Sequence, residues 1–398
     1  MKTIPLSAWV DELESGARPK GGIKDGVGEV PSLGAEHLAD DGGFNFAKDK
    51  RIPYDFFRSM KKGRIKSDDI LIVKDGATTG KVSFVNGDFP YDEAAINEHV
   101  FRLGVSRKKA DPRFVFRYLQ SPLGQEQIMS DFRGATVGGI GRTFLDKVFL
   151  PDIGLSEQRR IAAILDKADA TRRKREQAPA LADDFLKSMF LGMFGDPVAN
   201  ANGFSVTTIE ALCELITDCL HTTPNHFDEP NQYPSIRSSE LQGGYIDLSS
   251  AKYVSEAEYK VRIQRYRPAP SDSIYCREGA RFGSVGIIPE GMTPCLGQRT
   301  MLLRADRRVA TPEYLWSVLR SDAVFQQASN VVGGAASPHV NIKDIRKFKS
   351  LMPPLDLQKT FSKACQRVFS LRERLASQAR EAKNLFSVLS QRAFRGEL

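Results

Sequence analysis

Residues 156–195 read SEQRRIAAILDKADATRRKREQAPALADDFLKSMFLGMFG, and residues 355–396 read LDLQKTFSKACQRVFSLRERLASQAREAKNLFSVLSQRAFRG. The second stretch is the first one returning two hundred residues later: Leu155 and Gln158 answer Leu355 and Gln358, and Phe194-Gly195 answers Phe394 and Gly396. In the second copy, Phe361, Cys365, Val368, Arg372, Leu375, Ala379, Ala382, Phe386, Leu389 and Ala393 step by four and three alternately, which is the spacing of a coiled-coil seam. The matching seam of the first copy is Ile161, Leu165, Ala168, Arg172, Arg175, Pro179, Ala182, Leu186, Met189 and Met193. Two Arg and a Pro weaken its middle, and Pro179 removes a backbone donor, so a kink or break is expected near Ala178. Helices of this length would each run about 60 Å at 1.5 Å per residue. Two matched seams in one chain are expected to pair with each other.

Working outward, the regions before each copy also repeat. The run from Asp69 to Ala77 (DILIVKDGA) aligns with that from Asp272 to Ala280 (DSIYCREGA) at an offset of 203, and Gly80 falls on Gly283, Pro31 on Pro234 and Leu38 on Leu241. ADPRFVFRYL, starting at Ala110, matches ATPEYLWSVL, starting at Ala310, at an offset of 200. The plan is therefore domain, long helix, domain, long helix: residues 1–152, 153–196, 197–352 and 353–398. Within the first domain, residues 30–33, 70–73 and 81–85 read as strands. Residues 112–129 read as helix interrupted near Pro122, and residues 6–13 as a short amphipathic segment. The fold class is α+β: two homologous α/β domains, each with a compact, partly barrel-like sheet, separated by two long antiparallel helices that form a coiled-coil spacer.

The 398 residues carry a net charge of +8, which favours a polyanionic partner, nucleic acid first. Five Cys, an odd number and widely spaced, fit a reducing compartment rather than a disulfide framework. The opening MKTIPLSAWVDELESG has no apolar core of signal-peptide length, and no apolar run reaches a membrane span, so a cytoplasmic protein without a membrane partner is expected.

The frames of the two domains match while their loops differ, which suits a reader of two unequal things; on double-stranded DNA, that is a bipartite, asymmetric target. The turn from Gly76 to Lys81 falls one residue short of a phosphate loop and has Val82 where Ser or Thr should hold magnesium, so it reads as a strand-ending turn. It offers Lys74, Thr78, Thr79 and Lys81 for phosphate and base-edge contacts, and its counterpart offers Arg277, Arg281 and Ser284. A Gly-rich segment follows in each copy, with Arg133, Thr136, Arg142 and Thr143 in one and Ser337, His339 and Asn341 in the other. Cys213, Cys219, His221 and His226 have the wrong spacing for a common zinc finger, and Cys213 reads as lying on a helix face, so no metal site is assigned. The cluster from Arg172 to Arg175 reads as a solvated helix face. No methyltransferase box, nuclease constellation or catalytic triad stands out, so no catalytic residue is assigned.

Taken together, LSEQRRI (starting at Leu155), MPPLDLQ (starting at Met352), the ending AFRGEL (starting at Ala393) and the duplicated Gly turns make the chain similar to the specificity subunit of type I restriction–modification systems. The resemblance covers essentially the whole chain. It departs at Pro151, where Asp-Ile-Gly replaces the usual Pro-Pro-Leu approach, and at Pro179. The resemblance implies two target-recognition domains and a non-catalytic chain without a cofactor of its own. It further implies assembly with two modification subunits, which use S-adenosylmethionine, and optionally with two restriction subunits driven by ATP with Mg. A competing expectation is a coiled-coil adaptor that joins two protein-binding domains without DNA.

Overall fold

The computed structural model describes residues 2–23, 25–134, 138–333 and 338–398. The chain forms two compact units: Met1–Glu176 with Ser377–Leu398, and Gln177–Ala376. Among the described residues, no helix is long and apolar enough to cross a membrane.

The first unit is built on a four-stranded antiparallel sheet in the order Val10–Ser15, Val100–Val105, Ile70–Val73, Val82–Phe84. Ile70 to Val73 are wholly buried, which suits an unbroken aliphatic strand covered on both faces. A smaller sheet orders Arg51–Ile52, Val30–Leu33 and Ala95–Ile96, and Thr3–Pro5 pairs with Phe149–Pro151. The sheets are hydrogen-bonded separately, and the smaller one packs on the main one through a core of Leu33, Leu71, Val73, Ile96 and Val100. Residues 6–13 are not one amphipathic segment. Leu6–Ala8 makes a single 3-10 turn that buries Leu6, and the chain then enters the strand Val10–Ser15. Helix Pro112–Gln120 starts with Asp111 accepting the amides of Arg113 and Phe114, and with Pro at the first position, where no amide is needed. It stops at Ser121, whose hydroxyl caps the next helix, Pro122–Met129.

The second unit repeats this frame and adds a short hairpin, Leu241–Gln242 paired with Tyr245–Ile246. Its main sheet orders Cys213–Asp218, Thr300–Ala305, Ser273–Cys276 and Val285–Ile287. Its small sheet orders Lys252–Tyr253, Pro234–Ile236 and Cys295–Leu296, and Ser205–Thr208 pairs with Lys349–Met352. Cys213 opens a strand rather than sitting on a helix, because its run alternates with the pleat against Thr300–Ala305. The helices are Pro312–Leu319 and Asp322–Val332. Even the backbone strain is copied: Asp68 and Ser271, 203 residues apart, are both left-handed at φ 66° and 72°.

The long helices are Leu155–Phe194 and Leu355–Arg395. Pro179 does not break the first, whose assignment passes through it without interruption. In the first unit, Arg160 donates to the Leu398 carbonyl at 3.0 Å and Arg172 lies 5.4 Å over the Phe386 ring. Numbers rise on one helix as they fall on the other, so the pair is antiparallel. The second unit repeats this, with Arg372 3.5 Å from Asp183 and Phe361 packed edge-on against Phe194.

The seam serves the domains as well as the helices. Ile161, Leu165, Ala393 and Phe394 share a core with Phe114 and Tyr118, and Phe386 and Leu389 pack against it half-buried. Leu186, Phe361, Cys365 and Val368 share one with Tyr314 and Trp316, joined by half-buried Met189. Ala168 and Leu375 are half-buried. Burying an aromatic such as Phe394 contributes about 2–3 kcal/mol. The Arg-rich middle has buried counter-charge. Asp169, 1% exposed, receives Arg117, Arg172 and Arg173, while Arg172 also pairs with Glu176. Burial opposes its charge, but those guanidinium groups hold the Asp169 carboxyl below its ordinary 3.8.

Candidate nucleic-acid interface

The repeated glutamine has a structural task in both copies. Gln158 accepts the Asp111 amide at 2.9 Å and donates to the Ile153 carbonyl at 2.8 Å. Gln358 accepts the Thr311 amide at 3.0 Å and donates to the carbonyls of Val309 and Pro353. Each is buried and ties the start of a domain helix to the start of a long helix. The candidate contact residues expected from sequence lie elsewhere, on the rim where the turn and the Gly-rich segment meet.

In each unit three backbone bonds assemble that rim. In the first, Lys74 donates its amide to the His99 carbonyl at 2.9 Å, Ile140 donates to the Lys74 carbonyl at 2.7 Å, and Gly76 donates to Gly138 at 3.2 Å. In the second, Arg277 donates to Arg299 at 3.0 Å, Val340 to Arg277 at 3.0 Å, and Gly279 to Pro338 at 3.0 Å. The turn and the Gly-rich segment, far apart in sequence, thus lie side by side together with the loop that precedes the central strand. On the first unit's backbone a Cβ at Gly139 would lie 2.5 Å from the Lys74 carbonyl oxygen, whereas the second unit makes the same approach with His339 at the aligned position.

The turn is not a phosphate cradle. The amides of Thr79, Gly80 and Lys81 donate to Gly76, Val73 and Thr78, and those of Phe282, Gly283 and Ser284 donate to Gly279, Cys276 and Arg281. Amides already paired inward are not free to wrap an anion.

Side chains on the first rim divide into committed and outward-facing groups. Thr79 donates its hydroxyl to the Gly76 carbonyl at 2.7 Å, and Lys81 reaches Asp40 at 2.6 Å. Lys74 is half-buried, 3.3 Å from the Ser15 hydroxyl and 5.7 Å from the Phe101 ring centroid. Thr143 donates to Asp131 at 3.0 Å. Arg133 touches Asp131 at 3.2 Å yet stays 70% exposed, Arg142 is exposed and donates to the Leu13 carbonyl at 3.0 Å, and Thr78 is exposed. Thr136 lies outside the described residues. Asp131, which sequence reasoning passed over, anchors the segment. Its side chain is fully buried, accepting the Gly141 amide at 2.9 Å and pairing with Lys147 at 2.7 Å. Burial opposes its ionisation, but Lys147, the Gly141 amide and the Thr143 hydroxyl hold its carboxyl below the ordinary 3.8.

On the second rim Arg277 is only 5% exposed. Its guanidinium forks onto Asp218 at 3.2 and 3.1 Å and donates to His339 Nε2 at 3.1 Å. His339 Nδ1 faces Glu278 at 2.6 Å, so the imidazole is clamped between the two. Ser284 is half-buried; its amide donates to Arg281 and its carbonyl accepts the Cys276 amide. Arg281 is exposed with no ion pair among the described residues. Asn341 is exposed at the start of helix Ile342–Lys347, and its side chain makes no capping bond. Ser337 lies outside the described residues. Sequence reasoning also missed Ser15 and Asp218, and His99 and Arg299. The first pair stands at the offset of 203 and the second at 200, so the repeat itself carried the signal.

Neither rim assembles a metal centre among the described residues, which contain no cluster of three or more His, Cys, Asp or Glu suited to an ion. Burial pushes the Cys213 thiol up to about 12 and Cys219 up to about 11, so both stay protonated at neutral pH. His221 pairs with Asp218 at 3.3 Å and His226 with the Ser235 hydroxyl at 3.2 Å.

Two α+β units, each with an assembled loop rim and a share of two antiparallel helices, define a tandemly duplicated module. Residues 10–180 and 202–380 match the type I restriction modification DNA specificity domain, and the chain belongs to that family. It is 23% identical over 309 residues to the EcoKI specificity subunit of Escherichia coli K12, covering 72% of this chain and 65% of that one. It is 21% identical over 316 residues to the StySPI specificity subunit of Salmonella potsdam, covering 73% and 66%. The chain therefore spans just under two thirds of the length of these relatives. Among solved structures, the S subunit of M. genitalium superposes with a TM-score of 0.59 at 13% identity, covering 99% of this chain and 96% of that one. A chain from a structure of type I R-M complex assembly and conformational transition gives 0.54 at 16% identity, covering 100% and 98%. At these identities the two structures speak to the fold.

Proposed function

We propose that this chain is the DNA sequence-specificity subunit of a type I restriction–modification complex. It reads a bipartite, asymmetric duplex target, one half with each rim, and does no chemistry itself. Two modification subunits bring S-adenosylmethionine to the target, and restriction subunits with ATP and Mg join where the system has them. The observation that carries this reading is the pair of rims: the same three backbone bonds, with different side chains at the aligned positions. A constant frame with variable polar tips is what sequence reading in DNA grooves demands. The two long helices run without interruption for 40 and 41 residues, which supports a role in setting the gap between half-sites.

Exchange of residues 1–150 for those of another family member, followed by methylation mapping of the reconstituted complex, tests the reading. One half of the target should change while the other half and the gap stay. Change in both halves, or no duplex binding by the complex, overturns it; the latter outcome is that of a protein-binding adaptor.

A further inference from the structure

We propose that Arg299 is a base-reading residue of the second domain, pairing with the O6/N7 edge of a guanine in its half-site. The inference rests on the DNA-reading function proposed above and adds to it a residue and a base.

The backbone comes first. Among the described residues, the only non-glycine positions with positive φ are Asp68, Asn200, Ser271 and Arg299. Asp68 and Ser271 are the same turn in two copies, and Asn200 is a residue type that tolerates this region. Arg299 has neither explanation. Its φ is 70°, while His99, aligned with it, is not left-handed. An arginine is strained in that region, because its Cβ crowds the neighbouring carbonyl. Glycine or asparagine would make the same turn at lower cost, so local geometry does not account for the side chain.

The side chain comes second. Arg299 is exposed and has no ion pair among the described residues. Its guanidinium rests over the turn, with Nη1 3.3 Å from where a Cβ on Gly279 would stand. The aligned glycine of the first domain, Gly76, has open space above it, because His99 turns aside to Asp75 at 2.5 Å. Arg299 is also well seated. Its carbonyl accepts the Arg277 amide, and Gln298 beside it donates to the His221 carbonyl at 3.0 Å and to Thr223 at 2.8 Å. Arg277 and His339 are locked in their own network, whereas the Arg299 fork, like that of Arg281, has no ion pair among the described residues, and only Arg299 stands on a base fixed by its own and its neighbour's bonds. That fork matches the two acceptors on a guanine edge, whereas a lysine ammonium matches one point.

The test is selection from randomised duplex DNA by the complex reconstituted with its modification subunits. Wild type should select a bipartite motif. Arg299→Ala and Arg299→Lys should each lose preference for guanine at one position of one half-site by about tenfold or more, with the other half unchanged. Arg299→Gly should show the same loss while melting about 2–4 °C higher, since it relieves the backbone; this separates reading from folding. An unchanged motif in Arg299→Ala, or a loss of affinity spread evenly over all sequences, overturns the inference and leaves the specificity function standing. A wild-type complex that selects no bipartite motif overturns both.

Discussion

Where the first domain sets Lys74 beside the hydroxyl of Ser15, the second sets Arg277 beside the carboxylate of Asp218. The two pairs occupy aligned positions, at an offset of 203. One is a half-buried amine beside a hydroxyl, with the Asp75 carboxylate 3.9 Å away, and the other is a buried fork gripped directly by a carboxylate. The backbone bonds around them are the same. The frame therefore depends on main-chain groups that every residue supplies, and each copy stiffens its rim with different side chains. The first uses Asp131 under the Gly-rich segment, and the second uses the chain Asp218, Arg277, His339, Glu278.

That difference can be broken by mutation. The largest effect is expected from Arg277→Ala, which takes the buried fork from Asp218 and leaves that carboxylate His221 and the Cys219 amide; it should cost about 3 kcal/mol, read as a lowered denaturation midpoint with hydrogen exchange rising in the second unit. Asp131→Ala should cost about 2–3 kcal/mol, with faster exchange confined to residues 138–147 in the first unit. Acid should do the same more gently. The Asp131 carboxyl is held below 3.8, so its contribution is fully present above that pH and is lost as pH falls below it. Asp131→Asn should flatten this pH dependence at the first rim; an unchanged pH dependence there in Asp131→Asn would contradict the assignment. Gln158→Ala and Gln358→Ala should each cost about 1–2 kcal/mol by orphaning one helix-start amide, the second slightly more because Gln358 also holds the Val309 carbonyl; a larger loss in Gln158→Ala would contradict this ranking. Lys74→Ala should cost under about 1 kcal/mol, the contrast with Arg277→Ala being the point.

Much of the frame was legible in the sequence. The seam spacing gave helices that run from Leu155 and Leu355, and Pro122 interrupts the paired helices as expected, with Ser121 as the shared cap. Strand Ile70–Val73 followed from its aliphatic run, and Val30–Leu33 was read as a short strand as well. What escaped was non-local. Ser15 and Asp218 each lie 59 residues from the cation they meet, and no local pattern announces such a partner. Residues 6–13 misled because a single 3-10 turn joined to a short strand mimics helical spacing. Pro179 misled because loss of one backbone donor weakens a helix without ending it when neighbouring turns are held by packing, as Leu186 and Phe190 are here. Of the candidate contacts, Arg277, His339, Lys81 and Thr79 turn out to be engaged in protein bonds. Exposure and pairing are properties of the fold and cannot be counted from residue type.

The two buried glutamines have one more implication. Toward its domain, each grips only main-chain groups: the Asp111 amide for Gln158, and the Thr311 amide and Val309 carbonyl for Gln358. The joint itself therefore makes no demand on the domain's side chains, and the demand falls instead on the few that enter the shared core, such as Phe114 and Tyr118 or Tyr314 and Trp316. Recombination between related genes could therefore graft a new reading head here without re-evolving this joint. A lineage under pressure to recognise new sites would find that exchange cheaper than mutating an old head one residue at a time.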